Sequence, residues 1–321
     1  MGGVRTIDDM SRAIRSFQES RVFLTALELD VFTAVGEGAE ASRVAQAIGA
    51  DARATKMLLN ALASLGALEK SKDIFRCTPE SRAFGPGRAG LMHTVHLWET
   101  WSRLTDCVKA GTTQRRPGAE AHDESWTEAF IEAMHARAKT TAAQVVQVVG
   151  TEGVRRMLDV GGGPGTYSMA FALAAPELHV EVLDLDPVVA IAQRHISEAG
   201  LSDRVRVRVG DLRTDELGEG YDLVLVSAIC HMLDEDENRD LLRRCSKALA
   251  PGGRIVIREF ILDPNRAGPP FATLFALNML VGTRRGNCYT EAEYRQWLLD
   301  SGCDQVLRPD PRGELIIGRR T

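Results

Sequence analysis

Ten residues, Asp159-Val-Gly-Gly-Gly-Pro-Gly-Thr-Tyr-Ser168, bring one acid and four glycines into a single short turn. An apolar run, Met157–Val160, precedes them, and a helical run, Thr166–Leu173, follows. A glycine turn between a strand and a helix lets a ligand approach the backbone closely. The first N–H groups of the helix are also left free to meet it. The spacing is not GxGxxG, because Gly161 and Gly163 would then require glycine at 166, where Thr166 stands. It fits GxGxG with Asp159 just ahead. A carboxylate there repels a pyrophosphate and suits a ligand with a positive amino group.

Further acids stand at the ends of the next two apolar runs. Asp184, in EVLDLDPVV, lies about 20 residues past the loop, where an acid can bind both ribose hydroxyls. Asp186 is its neighbour and rival, and can equally cap a helix before Pro187. In Gly210-Asp211-Leu212, Asp211 could accept from an adenine amino group while Leu212 covers the ring; Asp211 could also simply hold a turn. Three strand-end acids beside a GxGxG loop point to an adenosine ligand without phosphates, S-adenosylmethionine. Ser227, closing the run YDLVLVS, joins Asp159, Gly161, Gly163, Asp184, Asp211 and Leu212 as the expected cofactor set.

Positioning these residues takes an α/β domain. From residue 151 onward, RRMLDV, HVEVLD, RVRVRV, YDLVLVS and GRIVIREF alternate with helical stretches, the pattern of a parallel sheet covered on both faces. The tail segments CDQVLRP and GELIIGRR read as two final strands, giving a Rossmann-like seven-stranded domain over 151–321. Residues 1–90 read as helices followed by a small hairpin, LEKSKDIFRCT, a winged-helix pattern. Residues 91–150 read as a helical linker with a loop at 111–125 and with Trp98, Trp101 and Leu104 on one face.

Composition narrows the class. In 321 residues, 44% are hydrophobic and 26% charged, which is too apolar for a disordered chain, and no apolar run is long enough for a membrane span. Six dispersed cysteines without a CxxC pair favour reduced thiols in a cytoplasm over disulfides or a zinc site. No metal is expected. His93 and His96 have no accompanying carboxylate cluster, and the acids Asp234–Glu237 suit a helix start. A net charge of −5, with only Arg53 and Lys56 on the second helix of the winged motif, argues against nucleic acid as a partner.

Nearly the whole chain resembles the S-adenosylmethionine-dependent O-methyltransferases of the plant caffeic-acid and acetylserotonin type, including their bacterial relatives. The segments that carry the resemblance are DVGGGPGTYS, DLDPVV, GDL, ICHMLDEDE, PGGRIVIREFIL and LNMLVGTRRGNCYTEAEY. It implies a homodimer formed through the N-terminal domain, and an aromatic small molecule as acceptor. It also implies His231 as general base, Glu259 as its helper, and acceptor contacts from Asn278 and Met279. Trp98, Trp101, Met134, Met232 and Phe275 complete the expected acceptor pocket, with Phe271 and Tyr289 as further wall or core residues. Two departures stand out. Met232-Leu233 replaces the usual Asp-Trp, and Cys288 falls where a second helper glutamate is usual.

Histidine, titrating near neutrality, suits removal of a phenolic proton. His231 could instead be a buried or capping residue, and Glu259 could pair with Arg258 or Arg254. The rival functional readings keep the fold but transfer to nitrogen or carbon, or catalyse no methylation. A winged-helix DNA-binding regulator is the remaining class.

Overall fold

The computed structural model describes residues 6–85, 87–114 and 124–321. They divide into two compact units, Met1–Trp98 and Glu99–Thr321.

In the first unit, α1 (Ile7–Arg15), α2 (Phe17–Glu28) and α3 (Val31–Val35) lead to the short strand β1 (Ala39–Glu40). The helices α4 (Ala41–Ile48) and α5 (Ala52–Ser64) follow, then the hairpin β2 (Leu68–Ser71) and β3 (Ile74–Cys77). The winged-helix pattern is therefore present. Gly49, in the left-handed region, ends α4, and the Asp51 carboxylate caps α5 by accepting from the Ala54 N–H at 2.8 Å. Val44, Leu59, Leu62 and Phe75 are fully buried and join helices to hairpin. Lys56 is engaged by Asp73 and Lys70 by Asn60, which thins the basic face further. On α1 and the start of α2, Ile7, Met10, Ile14 and Phe17 are all more than half exposed.

The helix α6 (Arg88–Trp101) crosses the boundary between the units and stops before Ser102. Leu104 therefore does not continue the face of Trp98 and Trp101; it opens a separate helix, α7 (Leu104–Ala110). No glycine or proline marks this break. The expected loop at 111–125 falls mostly outside the described residues.

The second unit continues with α8 (Glu124–Lys139) and α9 (Ala142–Val149), then β4 (Arg156–Val160), α10 (Thr166–Ala174), β5 (His179–Asp184), α11 (Asp186–Glu198) and β6 (Val205–Val209). Next come β7 (Tyr221–Ser227), a 3₁₀ turn (Cys230–Met232), α12 (Glu235–Ala248), β8 (Leu249–Arg258), α13 (Pro270–Gly282), α14 (Glu291–Asp300), β9 (Gln305–Leu307) and β10 (Leu315–Arg319). The seven strands form one sheet in the order β6-β5-β4-β7-β8-β10-β9, parallel except for β10, which runs antiparallel to both neighbours. Apolar cores cover both faces. Leu241, Tyr294 and Trp297 pack on one, and Met157, Phe171 and Ile196 on the other. Chain order reverses between β4 and β7, so a crevice opens beyond their carboxyl ends, the usual ligand position in such sheets.

Candidate active site

One lip of that crevice is the glycine loop after β4. Gly161 has φ +65°, and a Cβ there would run into Ile229 and Leu212, so only glycine keeps the backbone approachable. Asp184, at the end of β5, holds the loop in place: Oδ2 accepts from the Gly163 N–H and Oδ1 from the Leu185 N–H, both at 2.8 Å. Burial pushes its carboxyl up, and these two backbone N–H groups pull in the opposite direction. Asp186 is the first helical residue of α11, with Leu185 as the N-cap, so it is not the cap.

Asp159 lies beneath the loop at 1% exposure, with Oδ2 accepting from the Ser168 hydroxyl at 2.6 Å. Its Oδ1 is buried and makes no hydrogen bond to a described residue. Burial pushes this carboxyl up to about 7, Ser168 opposes the shift, and the charge of Asp184 adds to it. At the end of β6, the Asp211 carboxylate accepts from the Arg213 N–H, so the turn role is present, and half-buried Leu212 leans toward Gly161. Ser227 is half-buried at the carboxyl end of β7. These residues fit an adenosine-bearing ligand: an open glycine backbone, strand-end acids, and one buried carboxyl oxygen with no partner among the described residues.

The other lip is built on β7 and β8. After Ser227, Ala228 takes a left-handed φ of +58° and the chain enters the 3₁₀ turn that carries His231. Three contacts fix this turn. The Asn238 side-chain amide donates to the carbonyls of Cys230, Leu233 and Asp234. The Asn287 N–H donates to the His231 carbonyl at 2.9 Å. Gly286 lies so close to that carbonyl that no larger residue fits. Asp234 and Glu237 form a capping box that starts α12, so this acidic run serves the helix.

His231 and Glu259 meet directly. His231 Nδ1 lies 2.8 Å from Glu259 Oε2, and the His231 N–H reaches Oε1 at 3.3 Å. Both residues are buried, at 6% and 2% exposure. A carboxylate accepts, so Nδ1 carries the proton and Nε2 is left as a lone-pair base. The alternative partners of Glu259 are engaged elsewhere: Arg258 pairs with Glu314, and Arg254 donates to the carbonyls of Val149 and Gly150. Cys288 is fully buried, and burial with the nearby Glu259 charge pushes its thiol up to about 12, so it stays neutral.

Aromatic rings surround the imidazole. Phe275 meets it edge-on at 4.9 Å between centroids and Phe260 lies at 6.1 Å, while Phe271 packs on both phenylalanines. On α13, the Asn278 carboxamide oxygen accepts from the Trp101 indole N–H at 2.8 Å. Met279 is buried, and Met232 and Met134 are half-buried. Two further aromatics pack against core residues. Trp98 packs with the core of the first unit, where Arg21 covers its indole. Tyr289 is a core residue, packed edge-on to Trp297 with its hydroxyl donating to the Leu233 carbonyl.

Three residues around the site lie outside the motifs read in the sequence: Asn238, His135 and Arg137. The His135 Nδ1 lies 2.7 Å from the Thr166 hydroxyl at the start of α10, and its ring stacks on His195 at 4.0 Å. Burial, then the neighbouring His195 and Lys139, lowers the His135 imidazole to about 4. A neutral histidine thus ties α8 to the helix of the glycine loop. Among the described residues, no cluster of three histidine, cysteine or acidic side chains could hold a metal, and no helix is long and apolar enough to cross a membrane.

Comparison with known proteins agrees with this geometry. Residues 101–304 match the O-methyltransferase domain model, and residues 11–86 match the O-methyltransferase dimerisation domain. The 3-hydroxy-5-methyl-1-naphthoate 3-O-methyltransferase of Streptomyces sahachiroi is 35% identical over 300 residues, covering 90% of this chain and 87% of that one. The N,N-dimethyltransferase OxyT of Streptomyces rimosus is 29% identical, covering 78% of this chain and 77% of its own. The solved structure of PigF with S-adenosylhomocysteine superposes with a TM-score of 0.89 at 25% identity, covering 98% of this chain and all of that one. The chain belongs to the S-adenosylmethionine-dependent O-methyltransferase family.

Proposed function

We propose that this enzyme methylates a hydroxyl of an aromatic small molecule, with His231 as general base and Glu259 as the residue that orients it. The observation that carries the reading is the buried His231–Glu259 pair at 2.8 Å, with Nε2 unbonded among the described residues and three phenylalanines alongside. S-adenosylmethionine supplies a methyl group on a sulfonium, a leaving group already in place. Gly161, Gly163, Asp159, Asp184, Asp211, Leu212 and Ser227 would hold it on the glycine-loop lip. His231 Nε2 accepts the acceptor's proton, and the Glu259 carboxylate stabilises the resulting imidazolium while keeping the ring in one orientation. Trp101, Met134, Met232, Phe275, Asn278 and Met279 would align the acceptor oxygen, and alignment itself lowers the barrier by several kcal/mol. None of these roles requires a metal.

The similarity to a naphthoate O-methyltransferase supports an aromatic acceptor. The match to the dimerisation domain, with the exposed apolar residues of α1, supports a homodimer. Methyl transfer to nitrogen is the second reading, favoured by the similarity to OxyT; it does not need a buried histidine–carboxylate pair. S-adenosylhomocysteine release with pooled phenols, catechols and hydroxyindoles, for wild type and His231→Ala, separates the two. Loss of about 10²–10⁴-fold in the variant, with cofactor affinity kept, is the expected result. Equal release by both proteins would overturn the role of His231.

A further inference from the structure

Arginine guanidinium groups lie over aromatic rings at four places among the described residues: Arg21, Arg156, Arg258 and Arg137. Three of them are also hydrogen-bonded or ion-paired to the protein. Arg21 pairs with Glu28, Arg156 donates to the carbonyls of Glu219 and Gly220, and Arg258 pairs with Glu314. Arg137 differs. Its guanidinium sits 4.8 Å from the Phe260 centroid and 5.2 Å from that of Phe271, and its N–H groups donate to no described residue. It is exposed, one turn after Met134 on α8.

Of the two rings that hold Arg137, Phe260 also neighbours the imidazole, and Phe271 packs on the two phenylalanines beside it. Phe260 neighbours both groups, at 4.8 Å from the guanidinium and 6.1 Å from the imidazole. A positive, planar fork with five donors, pinned by aromatic faces and with no acidic partner among the described residues, matches a carboxylate in shape and charge. Sharing Phe260, the fork and the imidazole suit an aromatic acid bound with its hydroxyl toward His231 and its carboxylate toward Arg137.

We propose that Arg137 is a specificity-determining residue that binds the carboxylate of a hydroxylated aromatic acid, the class of acceptor this enzyme prefers. The inference rests on the proposed transfer to an aromatic hydroxyl and adds the anionic group of the acceptor and the residue that reads it.

The test is a panel of hydroxylated aromatic acids, each beside its methyl ester, assayed with wild type, R137Q and R137K. Wild type should favour each acid over its ester. R137Q should lose about 10–100-fold in kcat/KM on the acids, the range for a charge-assisted hydrogen bond, through KM and with the esters unaffected. R137K, which keeps the charge without the fork, should fall between. An equal loss on acids and esters would make Arg137 a wall residue and overturn the proposal, as would a wild type indifferent to esterification. Equilibrium binding of the same acids and esters to the S-adenosylhomocysteine-saturated protein needs no turnover. Acid-selective binding that disappears in R137Q upholds the role of Arg137 even if no hydroxyl is methylated; binding blind to the carboxylate overturns it.

Discussion

The two lips of the crevice are made in different ways. On the β4–β5–β6 side, the work falls to backbone: Gly161 opens the approach, and Asp184 accepts from two main-chain N–H groups to hold the loop. On the β7–β8 side it falls to side chains, a histidine and a glutamate hydrogen-bonded in a buried aromatic setting. A backbone site suits a ligand that is the same in every cycle. A side-chain site can be rebuilt one residue at a time around a different acceptor. Under the proposed function this is a division of labour across one strand boundary, with main chain toward the constant cofactor and side chains toward the variable acceptor.

Glu259→Gln presses hardest on the second half of that comparison. Glutamine keeps the volume of Glu259 but removes its charge and can force the wrong imidazole tautomer. The expected loss is about 10²–10⁴-fold in kcat with KM near wild type. A variant that keeps full kcat would reduce the pair to a packing contact. On the backbone side, Gly161→Val forces a branched residue to φ +65° and against Ile229 and Leu212. Strain of about 1–3 kcal/mol corresponds to cofactor affinity weakened by about 5–150-fold, read by calorimetry with S-adenosylhomocysteine. Unchanged affinity would separate the loop from cofactor binding.

A third effect, read on stability rather than on turnover or affinity, is a pH dependence beneath the loop. The Asp159 carboxyl titrates near 7 in the folded chain and near 3.8 when unfolded. Between those values the unfolded chain binds fewer protons, so this residue lowers stability as pH rises from about 4 to 7. Asp159→Asn should therefore gain in Tm over wild type progressively across that window, and a constant difference would exclude a buried, proton-binding Asp159. His135, lowered to about 4, acts with the opposite sign, reducing stability as pH falls below 6.5, so the wild-type profile alone blends the two.

The backbone lip was the more legible in the sequence. Glycine spacing and strand-end acids are local patterns, and the chain places them at the ends of β4, β5 and β6 as those patterns predict. His231 and Glu259 are 28 residues apart with no shared periodicity, and only the family resemblance joined them. Arg137 and Asn238 were invisible because their meaning lies in partners on other elements. Tyr289 was open to both readings, pocket wall and core, because residue type and position do not separate them; it fills the core behind the segment. The break after Trp101 had no glycine or proline to announce it.

The hydrogen bond from Asn287 to the His231 carbonyl, with Gly286 pressed beside it, couples two features that evolution would otherwise be free to tune apart. The segment leaving α13 is anchored to the turn that carries His231. Lengthening or shortening residues 283–287 would drag His231 with it. Replacing side chains on α13 itself leaves the anchor alone. Under the proposed function, point substitutions along α13 would reshape the acceptor wall without moving His231, whereas a change of length in its exit loop would move it.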